Sequence, residues 1–212
     1  MTIVEARDAH VAIDKVSLLA PTSFSVAPGD ALAVTGSNGS GKTTLLRVLA
    51  GKQQLTGGSV TIAGEAPNEK DAEFRARLAA LLGLPPLSRS LTLHEHLALV
   101  AASWGDSVEL AREAASDALR QFGIQRLQRR FVHELSSGQT QMFALALTLI
   151  RPSEILLLDE PEQRLDAERR ELLADVLAAR VASGTTLIMA SHSAELVGRV
   201  CDRELALAED VA

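Results

Sequence analysis

Short apolar runs closed by glycine and proline open this chain, give way to a long stretch of helical texture, and return beyond it. Within residues 1–65, the runs 22–26, 31–34 and 59–62 read as strands, with turns at Pro28-Gly29 and Gly57-Gly58. Residues 44–49 read as a helix that ends at Gly51. From 68 to 134 the pattern turns helical and alanine-rich. There Thr92-Leu93-His94-Glu95 has the spacing of a capping box and opens one helix. Asp106 and Glu109 open another, which closes at Gly123. A helical run over 140–150 follows, then a buried-strand run at 155–158, a helix over 166–183 stopped by Gly184, and a strand over 185–190. Alternation of strand and helix predicts an α/β body with a mainly parallel sheet between helices. The middle third, about residues 70–135, reads as a helical insertion in it. There is no internal repeat and no low-complexity segment.

Composition narrows this picture. A chain of 212 residues suits one large α/β domain or a domain with an inserted lobe. Its formal net charge of −6 gives no electrostatic sign of nucleic-acid binding. Cys201 stands alone, which excludes a disulfide framework and a cysteine metal cluster and makes a reducing, cytosolic compartment the default. The opening residues lack a signal-peptide layout. The most apolar stretch, 142–150, is too short to span a bilayer, so action at a membrane calls for a partner that supplies the spans.

The chemistry begins after the strand at 31–34. Gly36, Ser37, Asn38, Gly39, Ser40, Gly41, Lys42 and Thr43 read G-S-N-G-S-G-K-T, followed by Thr44 and the helix. Strand, glycine-rich loop and helix are the context a phosphate-binding loop requires. Glycines let successive backbone N–H groups turn inward, and the positive end of the helix dipole adds to the cradle. Lys42 can reach β- and γ-phosphates, and the Thr43 hydroxyl can ligate Mg²⁺.

Three further segments point the same way. The strand at 155–158 ends in Asp159-Glu160-Pro161; a carboxylate there suits a Mg²⁺ site, and the next can polarise an attacking water. Leu135-Ser136-Ser137-Gly138-Gln139 precedes a helix, so a hydroxyl and free N–H groups form a second anion site. One nucleotide does not need two helix N-termini from distant segments, which suggests that the second serves a nucleotide held by another copy. Ser191-His192-Ser193 follows the strand at 185–190, where an imidazole can bond a γ-phosphate or position water.

In this order and at these spacings, the phosphate loop, the L-S-S-G-Q turn, the Asp159-Glu160 strand end, Leu165-Asp166 and His192 resemble the ATP-binding cassette family over nearly the whole chain. The resemblance implies a P-loop NTPase fold: a RecA-like α/β core, a small antiparallel β-lobe and an inserted helical subdomain, together one nucleotide-binding domain over 1–212. It implies ATP and Mg²⁺, with Asp159 on the Mg²⁺ side, Glu160 as general base and His192 as γ-phosphate switch. It also implies a head-to-tail dimer around two ATP, in which Asp166 crosses the interface and Ser136 to Gln139 serve the partner's nucleotide. The function implied is the ATPase subunit of a membrane transporter, held at the cytoplasmic face by a separate transmembrane permease and binding no nucleic acid. The opposing class is an ATP-gated interaction module of the same family with weak ATPase activity. Substrate, import or export, and homodimer or heterodimer stay open.

The chain departs from the family pattern in four places. The family usually places a glutamine that contacts Mg²⁺ and the lytic water where this chain reads Leu82-Gly83-Leu84-Pro85-Pro86. No tyrosine occurs, and no Trp or Phe precedes Phe24 to stack on adenine, which leaves Ile13 or His10 as candidates. Ser137 replaces the first signature glycine, and Arg164 stands where a small residue or Asn is preferred. Low basal turnover and weak discrimination between ATP and GTP are the expectation. Away from these motifs, His94 and His96 sit two apart on a predicted helix and do not share a face for a metal. Arg126, Arg129 and Arg130 read as a solvated face.

Overall fold

The computed structural model describes residues 2–208, and the chain divides into two compact units. The first runs up to Leu82 and adds Ser153–Glu160 and the described residues from Ala178 onward. Both sheets belong to it. Strands β1 (Val4–Ile13) and β2 (Val16–Val26) form a hairpin, and β4 (Gly57–Ile62) completes an antiparallel sheet in the order β2-β1-β4. The hairpin turn is two residues long, Asp14 and Lys15, both left-handed at φ 49° and 69°. Positive φ at both central residues is what a type I′ connection demands. Gly57-Gly58, predicted as a turn, opens β4 instead. Gly58 sits at φ 76° where the register against β1 shifts between Arg7 and His10, so the pair marks a bulge.

The second sheet is parallel throughout, in the order β5-β6-β7-β3-β8, from β3 (Ala31–Thr35), β5 (Leu78–Leu81), β6 (Ile155–Asp159), β7 (Thr186–Ala190) and β8 (Arg203–Ala206). The unbroken apolar runs of β3, β6 and β7 fit strands covered on both faces, and the edge strand β8 is mostly exposed. Val34, Leu157 and Ile188 accordingly pack in one core with Leu45, Leu46 and Leu49 of α1 (Lys42–Leu49). Two short helices, α2 (Ala72–Arg77) and α7 (Ala194–Val200), complete the unit. Strand β5 is a departure from the predicted all-helical texture of this region: Leu78-Ala79-Ala80-Leu81 pairs residue by residue with β6.

The second unit, Gly83–Pro152 and Pro161–Leu177, is helical. It holds α3 (Leu93–Ser103), α4 (Val108–Gln121), α5 (Ser137–Leu149) and α6 (Ala167–Ala182) as far as Leu177, with 3₁₀ turns at Gln125–Leu127 and Val132–Glu134. The predicted capping box of α3 is present: Thr92 Oγ1 accepts from the Glu95 amide, and Glu95 accepts from the Thr92 amide. Ser107, not Asp106, caps α4, because its hydroxyl takes the Leu110 amide. Helix α5 is buried along nearly its whole length from Gln141 onward, as a helix apolar all round must be. Beyond it the Arg151 guanidinium lies 4.3 Å over the Trp104 ring. No helix among the described residues is long and apolar enough to cross a membrane.

Candidate nucleotide site

Between β3 and α1 the loop turns on Gly36 and Gly41, at φ 142° and 96°. A Cβ at Gly36 would stand 2.6 Å from Ser40 Oγ, and one at Gly41 would stand 2.7 Å from the Leu18 carbonyl. Both positions are therefore closed to any other residue by space as well as by torsion. Gly41 starts α1 without a side-chain cap, which leaves first-turn N–H groups of the helix without a side-chain partner. Lys42 is buried at 7% exposure, and its Nζ donates to the carbonyl oxygens of Gly36 and Ser37, both at 2.8 Å. Ser40 Oγ is buried with no hydrogen-bond partner. An uncapped helix start, a buried ammonium and an orphaned hydroxyl all fit a polyphosphate, which is acceptor-rich and anionic.

Thr43 Oγ1 donates to Asp159 Oδ2 at 2.8 Å, which brings the two predicted Mg²⁺ ligands side by side. Two hard oxygen donors fit Mg²⁺, whose remaining positions go to phosphate and water in sites of this kind. Glu160, the next residue, is left-handed at φ 48°, a rare conformation for a residue with a Cβ. Its amide donates to the Ala190 carbonyl of β7 at 2.9 Å, which fixes the twist. Its Oε1 lies 3.4 Å from His192 Nε2, so the structure brings the predicted base and the predicted switch together. Both side chains remain partly exposed, at 34% and 46%.

The remaining predicted residues lie in the helical unit. Ser136 caps α5 with a full box: its Oγ accepts from the Gln139 amide at 3.3 Å, and Gln139 Oε1 accepts from the Ser136 amide at 2.9 Å. Ser137 is exposed and Gly138 is buried. Asp166 Oδ1 takes the Arg169 amide at 3.0 Å, and its Oδ2 takes Arg169 Nη1 at 2.6 Å. Sequence reasoning did not single out Arg169, although an Asp three residues before an Arg at a helix start was the available signal. Gln141 was also passed over. Its amide donates to the Pro161 carbonyl from a buried position on α5.

Of the two candidates for an adenine contact, Ile13 is half exposed at the hairpin tip. His10 is engaged elsewhere: its Nδ1 donates to the Asp8 carbonyl, and its ring packs against Gly57. Where the family glutamine is missing, Gly83 is left-handed at φ 102°, and Leu84 is exposed at 47%. His94 and His96 have partners on the protein; His96 Nδ1 donates to the Thr92 carbonyl and its Nε2 accepts the Ser88 amide. No cluster of three or more His, Cys, Asp or Glu side chains among the described residues could hold a metal. Arg130 pairs with Glu134 at 2.8 Å, and burial pushes the Cys201 thiol up to about 12.

Residues 19–163 match the protein family described as "ABC transporter". The cytochrome c biogenesis ATP-binding export protein CcmA of Xanthomonas axonopodis pv. citri is 33% identical over 206 residues, 97% of this chain and 94% of that protein. The Nod factor export ATP-binding protein I of Burkholderia orbicola is 31% identical over 181 residues, 85% of this chain, and the chain spans 60% of its length. A solved structure described as the ATP binding subunit of an ABC transporter has a TM-score of 0.85 at 26% identity, over 97% of this chain and 86% of the other.

Proposed function

The chain belongs to the ABC transporter family, and from that premise we propose that it is the ATP-hydrolysing subunit of a membrane transporter, dimerising around two ATP to drive movement of substrate through a separate permease. The observation that carries the reading is the start of α1. There an uncapped helix, buried Lys42 and the Thr43–Asp159 pair converge on one place. Lys42 leaves the Gly36 and Ser37 carbonyls for the phosphate oxygens, and the first-turn amides of α1 take up the rest of the anion's charge. Thr43 and Asp159 would hold Mg²⁺, which would supply charge neutralisation at the phosphoryl oxygens. Glu160 accepts the proton of the attacking water, and its left-handed backbone aims the carboxylate. His192, beside Glu160 Oε1, orients that carboxylate and bonds the γ-phosphate. Ser136 and the α5 amides serve the nucleotide of a second copy, and Asp166 crosses to it.

A second reading, an ATP-gated interaction module with weak ATPase activity, draws on the segment 82–86, which has no side-chain amide to sense the lytic water. One measurement tests both readings and a second separates them. Calorimetric titration and phosphate release are expected to show ATP binding and slow hydrolysis, and a folded chain that binds no ATP overturns both. Capture from detergent-solubilised membranes with the tagged chain and ATP is expected to retain a multi-span protein. Capture of soluble proteins alone overturns the transport reading.

A further inference from the structure

The Asp166 carboxylate meets two donors of a single residue. Its Oδ1 takes the backbone amide of Arg169 and its Oδ2 takes Nη1 of the same arginine, at 3.0 and 2.6 Å. Two bonds from one partner leave the carboxylate one orientation, although the side chain is 57% exposed. The same guanidinium flanks the first turn of α5. A Cβ placed on Gly138 would stand 3.5 Å from Arg169 Nη1 and 2.8 Å from the Arg164 carbonyl oxygen. Only glycine admits that approach. Arg164 reaches it in the left-handed conformation, at φ 67°. From the same turn region of α5, Gln141 Nε2 donates to the Pro161 carbonyl at 3.1 Å, out of solvent. Gly138, Gln141 and Arg169 together fasten the segment 161–166 to the start of α5.

We propose that Arg169 is a positioning residue of the ATP-driven dimer: it clamps the Asp166 carboxylate beside the first turn of α5, so that Ser136 and Asp166 meet a second copy as one preformed surface. The inference rests on the dimer reading given above. Two physical consequences follow from the clamp. An exposed aspartate without it samples several rotamers, and ordering it at the moment of association weakens binding. An unpaired carboxylate beside a turn that receives a triphosphate also repels it, and the guanidinium cancels that charge. Lysine restores the charge but not the fork, so the conservative variant repairs only part of the loss.

The test is sedimentation of the full chain in ATP. A Glu160→Gln background traps the dimer, and ATP titration of the monomer serves as the control for folding. Glu160→Gln is expected to dimerise. Adding Arg169→Met is expected to raise the protein concentration needed by about tenfold or more, with monomer affinity for ATP unchanged. Arg169→Lys is expected to fall between the two. In an Asp166→Ala background, Arg169→Met is expected to add little, because the two side chains act as a unit. Equal dimerisation with and without Arg169→Met overturns the proposal alone, as does a full effect in the Asp166→Ala background. If Arg169→Met lowers ATP affinity through misfolding, the lysine variant decides: dimerisation equal to Glu160→Gln overturns the proposal. Failure of Glu160→Gln itself to dimerise overturns the dimer reading and takes this proposal with it.

Discussion

Helices α1 and α5 both begin on turns of glycine and serine, and they begin in opposite ways. Gly41 leads into α1 left-handed, with no side-chain cap and a buried lysine at the positive end of the helix. The missing side-chain cap and the cation at the positive end each cost the helix some stability by themselves. Ser136 leads into α5 with a reciprocal capping box that uses its own hydroxyl and the Gln139 carboxamide. That box pairs the Ser136 and Gln139 amides without a ligand. On the proposed function, the start of α1 is finished by the phosphates of this chain's own nucleotide, and that of α5 lends its remaining donors to a nucleotide held by another copy.

Four substitutions break or sharpen this contrast. Glu160→Gln keeps the shape beside the α1 site but cannot accept a proton. Turnover is expected to fall about 10²- to 10⁴-fold with ATP binding retained, read by phosphate release beside calorimetry. Lys42→Ala removes the buried ammonium, and ATP affinity is expected to fall about 100-fold; unchanged affinity in the folded variant would remove the loop from the site. Ser136→Arg is expected to abolish turnover while the monomer's ATP affinity holds. Mixed with Lys42→Ala chains it should regain activity from composite sites, and mixed dimers with no activity would count against service in trans. Arg164→Gly is expected to raise stability by up to about 1 kcal/mol in denaturant titration, because the φ of 67° suits glycine. A loss of stability there would mean that the Arg164 side chain contributes more than its backbone strain costs.

The phosphate loop, the strand end at Asp159 and the α3 capping box were legible in the sequence, because each is written in contiguous residues whose spacing is itself the signal. Strand β5 was not. Leu78-Ala79-Ala80-Leu81 has no alternation to show, and what makes it a strand is β6, more than seventy residues on. The first strand was obscured for a related reason: the register of β1 against β2 shifts three times, which breaks the period of two. At the site, residue types were readable and partners were not. The left-handed Glu160 depends on a fold that brings its amide to the Ala190 carbonyl, whereas the Arg169 clamp on Asp166 is local and its spacing was there to be read. Position 83 makes the same point. The stretch 82–86 does not say in sequence where a glutamine would fit, whereas φ 102° at Gly83 makes Leu84 the better place than its neighbour.

The stacking of Arg151 on Trp104 gives the molecule an optical label. Trp104 is the single tryptophan and tyrosine is absent, so indole emission from this protein comes from one ring, in the helical unit, under one guanidinium. The α/β unit is dark by comparison. A change of emission during unfolding or on addition of ATP reports the surroundings of that ring alone, and a backbone signal such as circular dichroism reports both units. A gap between the two curves would measure directly whether the halves of this chain melt together or apart.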